Sequence, residues 1–156
     1  MKGLFQGICI GLLIVMGAAH ADVGREEELD DAVRQFAAKV EAVWQQCLSR
    51  PDVHTTNDSD MCLSAMVRTS NEKVEVKYQE KLVKAQQMTE SPDIFSSYEK
   101  VPVMLKASQV RWKEYVKSDC DGIYEESVAG TARSTNALLC EYKHALQRLR
   151  ALDGWY

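Results

Sequence analysis

The sequence predicts an all-α protein, a small antiparallel bundle of about four helices that disulfides bridge. Three observations predict this fold class. Apolar residues recur in steps of three and four along several long segments, as they do on one face of a helix. No segment alternates apolar and polar residues in the manner of a half-buried strand. Proline and glycine are scarce, with 3 and 8 in 156 residues. Because each predicted helix has a single apolar stripe, the helices must bury these stripes against one another.

The first 21 residues have the features of a secretory signal peptide. Lys2 supplies one positive charge, residues 8–16 form a short apolar run, and Ala19 and Ala21 form an A-x-A exit. We therefore expect cleavage after Ala21, with residues 22–156 left as a single helical domain. The alternative is a retained membrane anchor, but glycines interrupt the apolar run and its length is marginal for a bilayer. We expect a periplasmic or secreted protein with no stable membrane anchor after cleavage.

The charge balance limits the class of partner. The chain holds 19 basic and 23 acidic residues, a net charge of −4. Lys2 is the single charged residue of the predicted signal peptide, so 18 basic and 23 acidic residues would remain, a net charge of −5. Binding to nucleic acid through its phosphates needs a basic surface. We therefore expect no nucleic-acid partner, whereas a cationic protein partner is compatible with this charge.

The first helix is predicted between residues 29 and 47 and ends before Pro51. Its apolar positions are separated by alternating steps of four and three, which is typical of one helix face. An acidic cluster precedes and opens this segment, and we expect it in the first turns, where negative charge favours the helix dipole. The apolar positions are Leu29, Val33, Phe36, Val40, Val43 and Cys47, and the acidic cluster is Glu26, Glu27, Glu28, Asp30 and Asp31.

The second and fourth helices are predicted from caps and breaks. The second opens near Asp58 or Ser59, which are both good N-caps, and extends to about Met88. The fourth opens around Thr131 and stops at Gly154. Apolar residues mark one face of the fourth helix, and aromatic side chains should join the seams of the bundle. The face comprises Leu138, Tyr142, Ala145, Leu149 and Leu152, and the seam aromatics are Trp44, Tyr78, Trp112 and Tyr142.

The third helix is predicted from Pro102 to Cys120. Proline suits the first turn of a helix, because it has no N–H to leave unsatisfied there. The steps of four and three stop after Cys120, and Asp121-Gly122 is typical of a turn. We therefore expect an irregular connection from Asp121 to about Gly130.

Four cysteines remain after the predicted signal peptide: Cys47, Cys62, Cys120 and Cys140. An even number in an exported chain indicates two disulfides, although four cysteines allow three pairings. Their positions favour Cys47–Cys62, which would link the first two helices, and Cys120–Cys140, which would close the connection between the third and fourth helices. A zinc site is disfavoured, because structural zinc sites usually contain closely spaced C-x-x-C pairs and none is present.

The sequence contains no catalytic motif of the common kinds. G-x-S-x-G, H-E-x-x-H and phosphate-binding glycine loops do not occur. His54 lies in a turn-rich segment and His144 on the last helix, far from each other along the chain. The D-x-D-G stretch at 119–122 fails as a calcium loop, because Lys117 and Val128 would stand where the two end ligands belong. We expect no catalytic residue, no metal and no cofactor.

The candidate partner-binding residues lie between the last two cysteines. Four carboxylates and one aromatic ring stand close together on a segment that a disulfide would pre-organise. A constrained segment loses less entropy on docking, and charge complementarity speeds encounter with a cationic surface. The alternative is a solvated acidic connector that binds nothing. The residues are Asp119, Asp121, Tyr124, Glu125 and Glu126.

Three stretches within residues 47–152 carry short motifs. The first is S-D-M-C at 59–62, followed by N-E-K-V-E-V-K-Y at 71–78. The second is S-Q-V-R-W-K-E-Y at 108–115, which leads to Cys120. The third is Gly130 ahead of Cys140 and Arg148, which stand at C-x7-R spacing.

These stretches resemble the LprI-like lysozyme-inhibitor domain family of exported bacterial proteins. The spacing of Q-x-x-W-x-x-Y to the cysteine is the most specific part of the likeness. Val116 and Lys117 depart from the Arg-Asp pair that the family usually has, and Glu75 replaces its usual asparagine. The resemblance implies a helical, disulfide-bridged exported protein that inhibits lysozyme, and it brings no catalytic residues.

We therefore expect a non-enzymatic binding protein that inhibits a lysozyme-type cationic hydrolase through its acidic, disulfide-bounded loop. The alternative is a structural or accessory envelope protein that binds another envelope component without inhibiting it. Its contact surfaces would be residues 68–71, where the apolar stripe is weak, and the aromatic tail Trp155-Tyr156.

Overall fold

The computed structural model describes residues 16–90, 98–128 and 130–155, with side chains from Asp30 onward. It contains four helices: α1 (Met16–Leu48), α2 (Thr56–Glu90), α3 (Lys100–Glu126) and α4 (Arg133–Asp153). These ranges contain no strand, and the all-α prediction is confirmed. Residues 1–15 of the predicted signal peptide lie outside the described residues, and its cleavage stays a prediction. None of the described helices is long and apolar enough to cross a membrane.

Two disulfides connect the ends of neighbouring helices. Cys47 at the end of α1 is bonded to Cys62 near the start of α2. Cys120 near the end of α3 is bonded to Cys140 near the start of α4. Each bond joins the end of one helix to the start of the next, so each of these helix pairs is antiparallel. This is the pairing that the cysteine positions favoured.

Helices α2 and α4 form the central pair of the bundle. They run parallel, because Thr135 Oγ1 donates to Asp60 Oδ1 near their starts, at 2.6 Å, and Lys77, further along α2, pairs with Asp153 at the end of α4. Helix α1 packs on both members of this pair, and so does α3. In the described chain α1 and α3 do not contact each other, so the central pair separates them.

The apolar stripes meet in two clusters of buried side chains. Tyr78 belongs to the first cluster and Tyr142 to the second, while Trp112 and Trp44 pack half-buried against them, as predicted for the seams. The Tyr142 hydroxyl donates to Glu41 on α1 at 2.8 Å; burial, together with this bond, raises the pKa of Tyr142 above its ordinary value. The first cluster is Val33, Val74, Tyr78, Ala85, Leu105, Ala145, Leu149 and Leu152. The second is Val40, Leu63, Met66, Val67 and Tyr142.

Two helix starts differ from the predicted ones. Helix α1 begins at Met16, so the acidic cluster at 26–31 lies inside it rather than in its first turn. The upstream residues include several alanines and no proline, so nothing local stops the helix there. Helix α2 begins at Thr56 because Thr55 and Asp58 cap each other: the Thr55 N–H donates to Asp58 Oδ2 at 2.9 Å, and the Asp58 N–H donates to Thr55 Oγ1 at 3.1 Å. Hydrogen bonds from Thr55 and His54 lower the pKa of Asp58.

The predicted turn at Asp121-Gly122 is wrong, because α3 continues to Glu126. Local sequence favours a turn there, but one contact within α3 and one bond to α4 hold the helix. Lys117 Nζ pairs with Asp121 Oδ2 one turn along, at 2.5 Å. The disulfide at Cys120 ties the same turn to α4. Glycine inside a helix costs roughly 1 kcal/mol relative to alanine, which these contacts offset.

Gly122→Ala is expected to raise the free energy of unfolding by about 0.5–1 kcal/mol, because it removes the glycine penalty inside a helix. A Cβ at Gly122 would have no atom within 4 Å, so the methyl group meets no obstacle. Urea unfolding of the oxidised protein measures the change. A loss of stability would mean that the chain turns at this position, as its local sequence suggests.

Candidate functional site

The five predicted partner-binding residues lie on the last two turns of α3 rather than on a loop. The prediction of a disulfide-bounded acidic loop is therefore wrong in its secondary structure, although the disulfide is there. Asp121, Glu125 and Glu126 are exposed on this helix end, and the Tyr124 side chain is partly exposed at 38%. We call the exposed carboxylates Asp121, Glu125 and Glu126, together with Tyr124, the acidic helix end.

Asp119, the fifth predicted residue, has a side chain that is 40% exposed, but it is engaged in a contact within the protein. Its Oδ2 lies 2.7 Å from His144 Nε2, and the His144 side chain is only 11% exposed. The Tyr115 ring meets the His144 ring edge-on, with their centroids 5.2 Å apart. Asp119 and His144 thus form a contact between α3 and α4 beside the Cys120–Cys140 disulfide. This contact holds the end of α3 in place.

Arg133 fixes the last turn of α3 from the start of α4. Its Nε donates to the Tyr124 carbonyl oxygen at 2.8 Å, which satisfies an acceptor that the helix end leaves open. Its Nη2 donates to Glu125 at 2.6 Å. The guanidinium also lies 3.9 Å from the centre of the Tyr124 ring. Tyr124 and Glu125 are therefore held in position before any partner arrives.

A groove of about 820 Å³ adjoins the acidic helix end and runs between α2, α3 and α4. Asp121 and Tyr124 form part of its lining, so the groove and the acidic helix end share an edge. Val74, Val116 and Leu138 supply apolar walls. Its charged lining consists of four carboxylates and two lysines: Asp60, Glu75, Asp121, Glu141, Lys113 and Lys117.

Three of the four groove carboxylates have partners within the protein. Lys113 Nζ lies 3.2 Å from Glu75, and Lys117 is paired with Asp121 as described above. Asp60 accepts the hydrogen bond from Thr135. Glu141 is different: among the described residues it has no hydrogen-bond or ion-pair partner. Burial raises the pKa of Glu141, and the nearby charge of Asp121 adds to the shift.

Glu141→Gln is expected to stabilise the protein at pH 7 and to leave its stability unchanged near pH 4. The pKa of Glu141 is higher in the folded than in the unfolded state, so its stabilising contribution is present at low pH and is lost as pH rises through the folded pKa. Urea midpoints at the two pH values measure this. Equal midpoints for both proteins at pH 7 would contradict the unpaired, partly buried placement of Glu141.

A buried polar pair, Gln109 and Arg148, lies at the far end of the groove, and Gln109 is the member that lines it. Arg148 Nε donates to Gln109 Oε1 at 3.0 Å, and these residues are 6% and 3% exposed. Two further donors of the pair, Gln109 Nε2 and Arg148 Nη2, have no acceptor among the described residues. The Arg148 guanidinium lies 5.8 Å from the centre of the Trp112 ring, and burial lowers the pKa of Arg148. Gln109 and Trp112 line the groove, so this end offers a buried amide donor beside an aromatic ring.

One cluster of metal-ligand residue types lies near the acidic helix end. Ligand atoms of Asp119, Cys120, Cys140 and His144 lie within 4.8 Å of one another. The two sulfur atoms are bonded to each other, so neither cysteine can supply a thiolate ligand. The remaining two donors, Asp119 and His144, contact each other directly. In the oxidised protein this cluster is a structural junction.

The sequence does not predict this groove. Gln109 and Trp112 belong to the Q-x-x-W motif, but the sequence predicts only a position in the bundle seam for Trp112. The aromatic tail, proposed as a contact surface for an accessory protein, is partly used inside the molecule: Trp155 packs on the first core cluster. The Trp155 carbonyl oxygen also accepts a hydrogen bond from Lys81 Nζ at 2.7 Å. Tyr156 lies outside the described residues.

Fold and site together define a small, disulfide-bridged helical protein that has an open, mainly acidic groove beside an acidic helix end. The family model described as "Lysozyme inhibitor LprI" matches residues 47–152, which is more than half of the chain. The chain belongs to this LprI family. No curated protein and no solved structure matches the sequence at a significant level.

Proposed function

We propose that this protein is an exported, non-enzymatic inhibitor of a lysozyme-type cationic hydrolase and that it acts in the periplasm or outside the cell. Its membership of the LprI family carries the proposal, because that family is named for lysozyme inhibition. The cysteine pairs support export, since disulfides persist in oxidising compartments.

The charge distribution supports a cationic partner. The chain has a net charge of −4, and the acidic helix end places exposed carboxylates around a fixed tyrosine. Complementary charge steers encounter and raises the association rate. A tyrosine held in place loses little conformational entropy when it is covered by a partner. These features suit a surface that binds a basic enzyme and blocks access to its active site.

The test is a titration of a purified cationic lysozyme with the purified, oxidised protein. We expect activity to fall towards zero near an equimolar ratio at low salt. Inhibition should weaken between about 0.01 M and 0.15 M salt, because the screening length falls from about 30 Å to about 8 Å over that range. Full enzyme activity at micromolar inhibitor and low salt would contradict the proposal for that enzyme.

The contribution of the acidic helix end is tested with the double variant Glu125→Gln, Glu126→Gln. We expect it to slow association and to reduce the salt dependence, because these charges lie at the rim. If the double variant associates at the same rate and with the same salt dependence as the unchanged protein, the acidic helix end does not contribute to binding.

A further inference from the structure

The groove has two chemically different ends. Glu141 at one end is a partly buried carboxylate without a partner among the described residues, and the lining carries four carboxylates against two lysines. Gln109 at the other end is 3% exposed and keeps an amide N–H group without an acceptor. The first end suits a cation, and the second suits a carbonyl oxygen.

The helix geometry sets the distance between these ends. Arg148, which is bonded to Gln109, follows Glu141 by seven positions on α4. At 1.5 Å per helical residue the two ends are about 10 Å apart along the axis. An extended chain covers about 10 Å in three residues. The groove of about 820 Å³ is large enough for a segment of this length.

We propose that the groove receives a short extended segment of the partner protein that carries a lysine or arginine side chain. The cation pairs with Glu141, and a main-chain carbonyl oxygen of the same segment accepts a hydrogen bond from Gln109. The aliphatic part of the basic side chain lies against the apolar walls near Val116 and Leu138. This inference rests on the proposed function, since it names the chemistry of the partner at that site.

The first experiment compares Glu141→Gln with Glu80→Gln in the lysozyme titration. Both variants remove one negative charge, but Glu80 is exposed on α2 and does not line the groove. We expect Glu141→Gln to raise the dissociation constant by about tenfold or more, because it leaves the inserted cation without its partner. Glu80→Gln should change it by less than about twofold, as expected for a screened surface charge.

The second experiment does not depend on lysozyme. A blocked tripeptide with a central arginine is titrated into the oxidised protein and followed by NMR, with the central citrulline peptide as a neutral control of the same shape. We expect the arginine peptide to bind and to shift the side-chain amide signals of Gln109. The citrulline peptide should bind at least about fivefold more weakly, because a neutral group gains little from Glu141.

The outcomes separate the two proposals. If lysozyme is inhibited and the two charge variants behave alike, the groove inference is wrong while the proposed function stands. If lysozyme is not inhibited but the arginine peptide binds and shifts Gln109, the groove chemistry is supported and lysozyme is the wrong partner. The groove inference is wrong if both peptides bind with equal affinity, or if the arginine peptide binds without shifting the side-chain amide signals of Gln109.

Discussion

Replacing Cys120 and Cys140 together by alanine is expected to lower the free energy of unfolding by about 3 kcal/mol. The bond joins residues 20 positions apart, and cross-linking a segment of this length restricts the unfolded chain. The same bond holds the last turns of α3 on α4, next to the contact between Asp119 and His144. The variant should therefore also weaken lysozyme inhibition. Urea unfolding without reductant, followed by an inhibition titration at a temperature where the variant is folded, measures both effects.

The matched control is the alanine replacement of Cys47 and Cys62. This pair is 15 positions apart, so its loss should also cost about 3 kcal/mol. It lies on the α1–α2 connection, and neither Cys47 nor Cys62 lines the groove. Inhibition by the folded control variant should therefore stay close to that of the unchanged protein. A cost below about 1 kcal/mol for the Cys120–Cys140 pair, or equal losses of inhibition in both variants, would contradict this role.

Leu105→Ala is expected to cost about 3 kcal/mol, within the range of about 2–5 kcal/mol for large-to-small changes in cores. Leu105 is 0% exposed and belongs to the first core cluster, which joins α3 to the central pair. Removing its side chain leaves a cavity that long, packed helices can close only in part. Urea unfolding measures the loss: the midpoint should fall, while the slope of the unfolding free energy against urea concentration stays the same.

Met104→Ala on the neighbouring position provides the control for this core change. Met104 is 58% exposed, so its truncation should change stability by no more than about 0.5 kcal/mol. If the two variants unfold alike, Leu105 does not face the core. In that case α3 would be rotated about its axis so that a different face packs on the central pair, and the residues that line the groove would change.

Patterns that depend on local spacing were predicted well. The steps of three and four in α4 place Ala145, Leu149 and Leu152 in the core, where they are buried. The cysteines favour the observed pairing because each pair flanks one connection between helices. Both results follow from information that lies within one helix or one connection.

Features that depend on distant residues were not predicted. Asp121-Gly122 has the local chemistry of a turn, yet contacts from Arg133 and Cys140 keep the segment helical. The groove arises because Glu141 and Asp121, on different helices, come to line one cavity. Its form depends on how α2, α3 and α4 pack, which helix periodicity alone does not specify. The buried pair of Gln109 and Arg148 joins α3 to α4 and was hidden for the same reason.

Amide hydrogen exchange of the oxidised protein, with and without saturating lysozyme, locates the surface that binds the enzyme. We expect slower exchange in the complex at residues 119–126 and along the groove-facing parts of α2 and α4, with no change in α1. Protection confined to α1, or no change at the end of α3 while lysozyme is demonstrably bound, would contradict this expectation.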